Sequence, residues 1–562
     1  MVLPNVAFPA LCHARLAATC MLLLAGGTAT AAERPRVFAI RNATVVTAPG
    51  NSLENGVVVI RDGLIESVGA GTLSPADAVE IDAAGGVVYA GLIDPWTRLG
   101  LSSGETAEPG GRGPAGSPAP ETGAVHPLAR IRPEHRAVDG LRAFDDDSRK
   151  ELENRRRLGY TAVASVPGSG LLRGTAAVIL LSENRPVAEI VLQTDAVAHA
   201  AFERGGFGEG YPTSLMGAAA ALRQAFLDGR RYAEWSERYA ADPAGLRRPD
   251  RHAAFEALLP VLRGRQRLFW RAESPHDLLL ADAIGTEFGL DLVLAGDGSE
   301  WELANELAAR GHPLVVSLGF PEKPDVKEDD AALGVSRREL RRWVEAPAGP
   351  ERLRAAGARF AFTTHGLETL SDTFDNLRSM IEAGLPEETA LAALTTVPAE
   401  LLGVERILGT LEPGKIANLC VATGPLFAEA TQIREVFVDG RRHEIEIKKK
   451  PESDPDAVVD PRGTWIVSID FGGRVVERTW TVEGDAGDYS GTAETGSGTV
   501  DFEKVTLEGN LLTVRLPGRG GRGSVEIPVI VTGDKFEGET EMGSRTATVR
   551  GKREAGPQRG DR

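Results

Sequence analysis

The chain has 562 residues, 42% of them hydrophobic and 25% charged, which is the composition of a soluble globular protein with two or more domains. Acidic residues outnumber basic ones by 80 to 63, leaving a formal charge of −17, and the longest lysine run is Lys448-Lys449-Lys450, so nucleic acid is excluded as a natural partner. Only three cysteines occur, Cys12, Cys20 and Cys420, too few for a disulfide framework or a cysteine-rich zinc site.

The N-terminus carries Arg15, an apolar run over 16–25, a Gly26-Gly27 break and the small-residue pattern Ala29-Thr30-Ala31. That pattern predicts a cleaved export signal over residues 1–32 and a periplasmic or secreted protein, because the run is well short of the ~20 residues a spanning helix needs. Cleavage would leave Cys420 as the only thiol, in an apolar run that reads as a packed strand rather than a nucleophile.

Residues 33–88 read as short β-strands over 37–47, 56–61, 64–69 and 79–82, with Asp62-Gly63 as a hairpin turn. The run 87–94 is apolar throughout, as expected for a strand buried on both faces. Similar runs at 161–166, 187–192, 267–271, 290–295, 313–318 and 358–363 alternate with helical patterns such as 214–232, 277–288, 299–310 and 370–383. This alternation predicts an α/β fold, a (β/α)₈ barrel spanning 89–405. The Gly- and Pro-rich segment 104–120 directly follows the first strand and reads equally as a long loop near the barrel mouth or as a featureless disordered insertion.

Residues 406–446 return to short strands, with Asp439-Gly440 as another turn, and are expected to complete the opening β-structure as a sandwich. A charged, proline-containing linker over 447–460 then leads to 461–555, where alternating runs at 465–469, 475–482, 505–507, 511–516, 524–531 and 546–550 predict a small antiparallel β-barrel or sandwich. Trp465 and Trp480 are expected in its core.

Two stretches carry a likeness to a known family. Gly56 to Gly69 followed by Ala90-Gly91-Leu92-Ile93-Asp94 resembles the opening of amidohydrolases of the imidazolonepropionase and dihydroorotase type. Ala390 to Ala399, Leu402-Gly403, Gly409 to Leu419 and Val436-Phe437-Val438-Asp439-Gly440 resemble that family's closing segment. The segment Tyr211 to Gly217 resembles secreted bacterial members. The resemblance frames residues 35–445 and implies a barrel with a flanking β-sandwich, hydrolysis of carbon–nitrogen bonds, and zinc as the metal that would activate water.

The residues that would hold that metal are changed. In the family a His-x-His pair closes the first barrel strand; here Trp96 and Arg98 stand in those positions, and no His-x-His occurs anywhere in the chain. Arg271 stands where the fifth strand's histidine is expected, and His365 where the eighth strand's aspartate is expected. An indole and a guanidinium have no lone pair to give a cation, so the expectation is no metal and no cofactor.

The resemblance and the substitutions together predict a noncatalytic or degenerate homologue that binds a small, anionic ligand through Trp96, Arg98, Arg271 and Thr364, or that partners a second copy or a competent paralogue. The competing expectation is a hydrolase of cyclic amides or small peptides with a metal-free site, using Asp94 or Glu273 as base and His365 as acid or base. His199 is expected as a surface or hydrogen-bonded histidine.

Overall fold

The computed structural model describes residues 37–101, 126–204, 211–324, 333–446 and 453–554, apart from 143, 145, 184, 368, 456, 472–473, 486, 496–497, 518–523 and 543–544. The expected export signal and the segment 104–120 lie outside the described residues. Among the described residues no helix is long and apolar enough to cross a membrane.

Both ends of the barrel region build one eight-stranded sheet. Phe38–Ala48 pairs with Asn51–Arg61, Val79–Asp82 and Val87–Ala90, and the last of these receives Leu419–Ala422 from the far end of the chain. Ile433–Val438 and Arg441–Glu444 continue the order outward. The Asp62-Gly63 and Asp439-Gly440 turns both take positive φ, the geometry that two-residue hairpins require. They also meet: a β-carbon on Gly440 would lie 2.5 Å from the α-carbon of Gly63, so the sheet curls and brings its two hairpins into contact. Cys420 is a buried strand residue opposite Tyr89, and burial pushes its thiol up to about 12.

An α/β barrel occupies the middle of the chain. Its strands run Leu92–Thr97, Tyr160–Ser165, the broken pair Leu172–Thr175 and Ala177–Leu180, then Ala198–Ala201, Leu268–Arg271, Leu292–Ala295, Leu314–Ser317 and Phe360–Thr363. One departure from the (β/α)₈ expectation is clear. The third strand is antiparallel to both neighbours, Tyr160–Ser165 and Ala198–Ala201. The connection 166–171 explains this, since a parallel crossover needs a dozen or more residues and a reversal needs only a few. Gly174 allows the strand to pass His135: its φ is +96°, and a β-carbon there would lie 2.0 Å from the His135 carbonyl oxygen.

A second correction follows from the first. The apolar run at 187–192 is not a barrel strand but one helical turn, Val187–Ile190, and a short strand, Val191–Gln193, on the outer edge of Ala177–Leu180. The barrel closes where Thr363 donates its hydroxyl hydrogen toward Asp94 (2.7 Å) and the Trp96 carbonyl (3.0 Å). Ile93, Trp96, Ala162, Val178, Phe269 and Val293 belong to the packed interior, so the barrel is filled and only its rim is available for chemistry.

The tail folds into a closed antiparallel barrel of eight strands, Gly463–Asp470 to Arg545–Arg553, with Gly498–Asp501 attached as an extra hairpin strand. Trp465 and Trp480 are buried against Phe536, with ring centroids 5.0 and 5.6 Å away, as core packing predicts. Arg515 bridges to Asp375 of the α/β barrel at 2.9 Å.

Candidate functional site at the barrel mouth

The first barrel strand supplies the site's floor. A register shift between Asp94 and Thr97 reorients the strand, so that Ile93 and Trp96 both pack inside the barrel. Trp96 is 2% exposed, edge-on to His199 at 4.6 Å and stacked with His365 at 5.5 Å. An indole packed in this way positions two imidazoles; the expectation that Trp96 itself offers a face to a ligand is corrected by its burial.

Asp94 points elsewhere. It is wholly buried, and its oxygens accept from the Trp96 N–H, the Thr363 and Thr364 hydroxyls, the Thr364 N–H and the Arg155 guanidinium at 3.0 Å. Thr364 is tied to the same pair, accepting from Arg155 at 2.9 Å. Asp94 and Thr364 are therefore a buried lock between the first and eighth strands, not a base and a substrate contact. Glu273 also departs from its expected role, because its side chain is 70% exposed and pairs with Arg204 at 3.3 Å.

The remaining residues converge. Arg271 follows Phe269 by two positions on one strand, so both face inward, and Arg271 is half-buried at the rim. Arg98 donates to the Gly168 carbonyl at 3.0 Å. Arg173, from the antiparallel third strand, is buried and bridges Glu203 at 2.9 Å; Glu203 also accepts from Arg130 at 2.8 Å and the Gly170 N–H at 2.7 Å. Burial lowers the Arg173 guanidinium to about 10. Burial, with the fields of Arg271, Arg98 and Arg173, lowers His365 to about 3. His199 is 1% exposed, and burial, Arg173 and His365 hold it well below the ordinary histidine range.

Neither ring nitrogen of His199 has a hydrogen-bond partner, which corrects its expected surface or hydrogen-bonded setting. Sequence reasoning also missed Arg173, Arg130 and Glu203. The one signal is for Arg173, an arginine closing the short apolar stretch Leu171-Leu172.

A divalent ion does not fit these residues. Two imidazoles stand among three guanidiniums, while Asp94 and Glu203 already spend their oxygens on arginines and hydrogen-bond donors. Among the described residues, no group of three or more His, Cys, Asp or Glu side chains is arranged to hold a metal.

The fold defines an α/β-barrel protein whose flanking sheet is built from both ends of the barrel region. Residues 281–443 match the model of the Amidohydrolase family. The structure is similar to an amidohydrolase from Thermotoga maritima at 25% identity and TM-score 0.58, covering 72% of this chain and 99% of that one. It also aligns with a putative prolidase from Bifidobacterium longum (16% identity, TM-score 0.41, 73% and 95% coverage) and with molinate hydrolase (16%, 0.42, 76% and 100%). No curated protein matches the chain.

Proposed function

We propose that this protein is a member of the Amidohydrolase family that binds a small anionic molecule at its barrel mouth and does not carry out metal-dependent carbon–nitrogen hydrolysis. The observation that carries this reading is the exchange of metal-ligand positions for Arg98 and Arg271, reinforced by Arg173, around two neutral imidazoles. Guanidiniums attract carboxylate and oxyanion groups and repel cations. A metal-free hydrolase is the weaker reading. Burial, together with the fields of the nearby arginines, lowers His365 to about 3 and leaves it a feeble base at neutral pH, and Asp94 is locked to Arg155.

The reading includes export to the periplasm or beyond, supported by the apolar run and small-residue pattern of residues 1–32. A second copy or a competent paralogue is the macromolecular partner it allows. Metal analysis of the purified, mature protein tests the proposal. We expect no stoichiometric zinc and no amide hydrolysis; zinc that leaves with a chelator, taking hydrolytic activity with it, overturns the reading.

A further inference from the structure

We infer that a second site lies beside the mouth, a small cavity in which Glu300 takes the ammonium group of an amine, as a free ammonium ion or as the head of an alkylamine. It is opposite in charge to the anionic-ligand reading and does not rest on it.

The chain builds this cavity at the C-terminal ends of the sixth and seventh strands, the end at which α/β barrels hold their ligands. After Leu292–Ala295 the backbone turns back through Gly296 and Gly298, the latter at φ +89°, and enters the helical turn Glu300–Leu303. The turn tucks Glu300 against the strand end: a β-carbon on Gly296 would lie 2.2 Å from its Oε1, so only glycine leaves the carboxyl its place. Gly349 does the same for Trp301, whose Cδ1 would lie 2.5 Å from a β-carbon there. Glu300 and Trp301 then line the cavity with Ser317, Phe320, Leu353 and Met380, around room for about one group the size of a water molecule.

Charge decides what fits. Glu300 is 1% exposed; its Oε1 accepts from the Gly298 N–H at 3.3 Å, and its Oε2 has no partner. The charged groups around it are committed elsewhere. Asp297 accepts from Arg342 at 2.8 Å, Arg342 also faces Glu302 at 3.4 Å, and Arg352 lies over the Trp301 ring at 4.8 Å while pairing with Glu345. Glu300 is therefore a buried carboxyl with no counter-charge of its own, and burial, with Asp297 nearby, pushes it up to about 7. Such a group either keeps a proton or acquires a cation.

The cation that fits is an ammonium group. Calcium and magnesium need about six oxygen ligands or more, and among the described residues no group of three or more His, Cys, Asp or Glu side chains is arranged to hold a metal. An ammonium N–H needs one carboxylate oxygen and makes a charge-assisted hydrogen bond with it, from a group close to water in size.

The test is calorimetric titration of the mature full chain, at pH 8 and constant ionic strength, with the chlorides of ammonium, methylammonium, tetramethylammonium and potassium. Saturable binding of ammonium, methylammonium or both is expected, and the tighter of the two identifies the source of the group. Tetramethylammonium, which has no N–H, and potassium should bind at least ~10-fold more weakly. Glu300→Gln, which keeps the shape and removes the charge, should weaken the amine at least ~10-fold. If that variant fails to fold, wild type at pH 6 provides the second comparison, because protonation of Glu300 should weaken the amine about 10-fold relative to pH 8. Potassium or tetramethylammonium binding as tightly as the amines overturns the inference. So does amine affinity that is unchanged in folded Glu300→Gln or between pH 8 and pH 6. Absence of saturable binding by either amine also overturns it and leaves a water molecule as the occupant. None of these results touches the arginine cluster, so the anionic-ligand reading stands or falls on its own metal analysis.

Discussion

Arg155 and Asp94 form an ion pair at 3.0 Å in which the carboxylate is completely buried and the arginine side chain is 7% exposed. The pair joins the helix Asp146–Arg157 to the first barrel strand, and through Thr363 and Thr364 it reaches the eighth. It closes the ring of strands at the point where the family resemblance implies chemistry.

Removing one member of such a pair leaves the other charge buried and unmatched. Asp94→Ala is therefore expected to destabilise the barrel by about 3–5 kcal/mol, measured by urea denaturation. Asp94→Asn, which keeps the shape and some hydrogen bonds, should lose less. If Asp94 were instead a free base in an open site, both variants would retain wild-type stability.

The histidines of the mouth make a pH prediction. Because His365 is lowered to about 3 in the fold, the unfolded chain binds more protons than the folded one between about pH 6.5 and about 3. Stability is thus fully present above pH 6.5 and falls as the solution is acidified through that window, by at most about 1.4 kcal/mol per pH unit for each histidine. His199 and His443 act in the same direction. Thermal melts from pH 7.5 to 4.5 should show His365→Gln losing less than wild type. Parallel curves would show that His365 is not held neutral.

Glu300 pulls the other way. It is 1% exposed, its Oε2 has no partner, and burial raises its carboxyl to about 7. Between the ordinary glutamate value and about 7 the folded state holds a proton that the unfolded state releases, so stability declines as pH rises through that range. Glu300→Gln should raise the melting temperature at pH 8 and change it little at pH 4. An equal effect at both values would rule out titration as the cause.

The sequence made both ends of the barrel region legible because their constraints are local. Asp62-Gly63 and Asp439-Gly440 announce hairpins by residue type alone, and Leu92-Ile93 reads as a strand buried on both faces. The identities of Trp96, Arg98, Arg271 and His365 were equally visible. What they touch was not. Asp94 looked like a base because its partner Arg155 lies 61 positions away in a helix made mostly of charged residues. The antiparallel third strand was hidden because its direction depends on the length of the 166–171 link rather than on any apolar pattern. With that strand went Arg173, and with Arg173 the positive charge that shapes the mouth.

The C-terminal barrel should fold by itself. Its strands close on one another, and its core of Trp465, Trp480, Phe536, Ile527 and Val529 is separate from the α/β barrel's core. The Arg515–Asp375 bridge is about one-third exposed on each side, so screening by water limits its contribution to about 1 kcal/mol or less. A fragment over 453–562 is expected to give a cooperative melt with native tryptophan fluorescence. Within it, Trp465→Ala should cost about 3–5 kcal/mol, since it removes a fully buried ring packed at a tilt against Phe536 and the indole N–H bond to the Pro461 carbonyl. Arg515→Ala in the full chain should leave both melts nearly unchanged. A fragment that stays unfolded, or a large loss from Arg515→Ala, would mean that the two barrels stabilise each other.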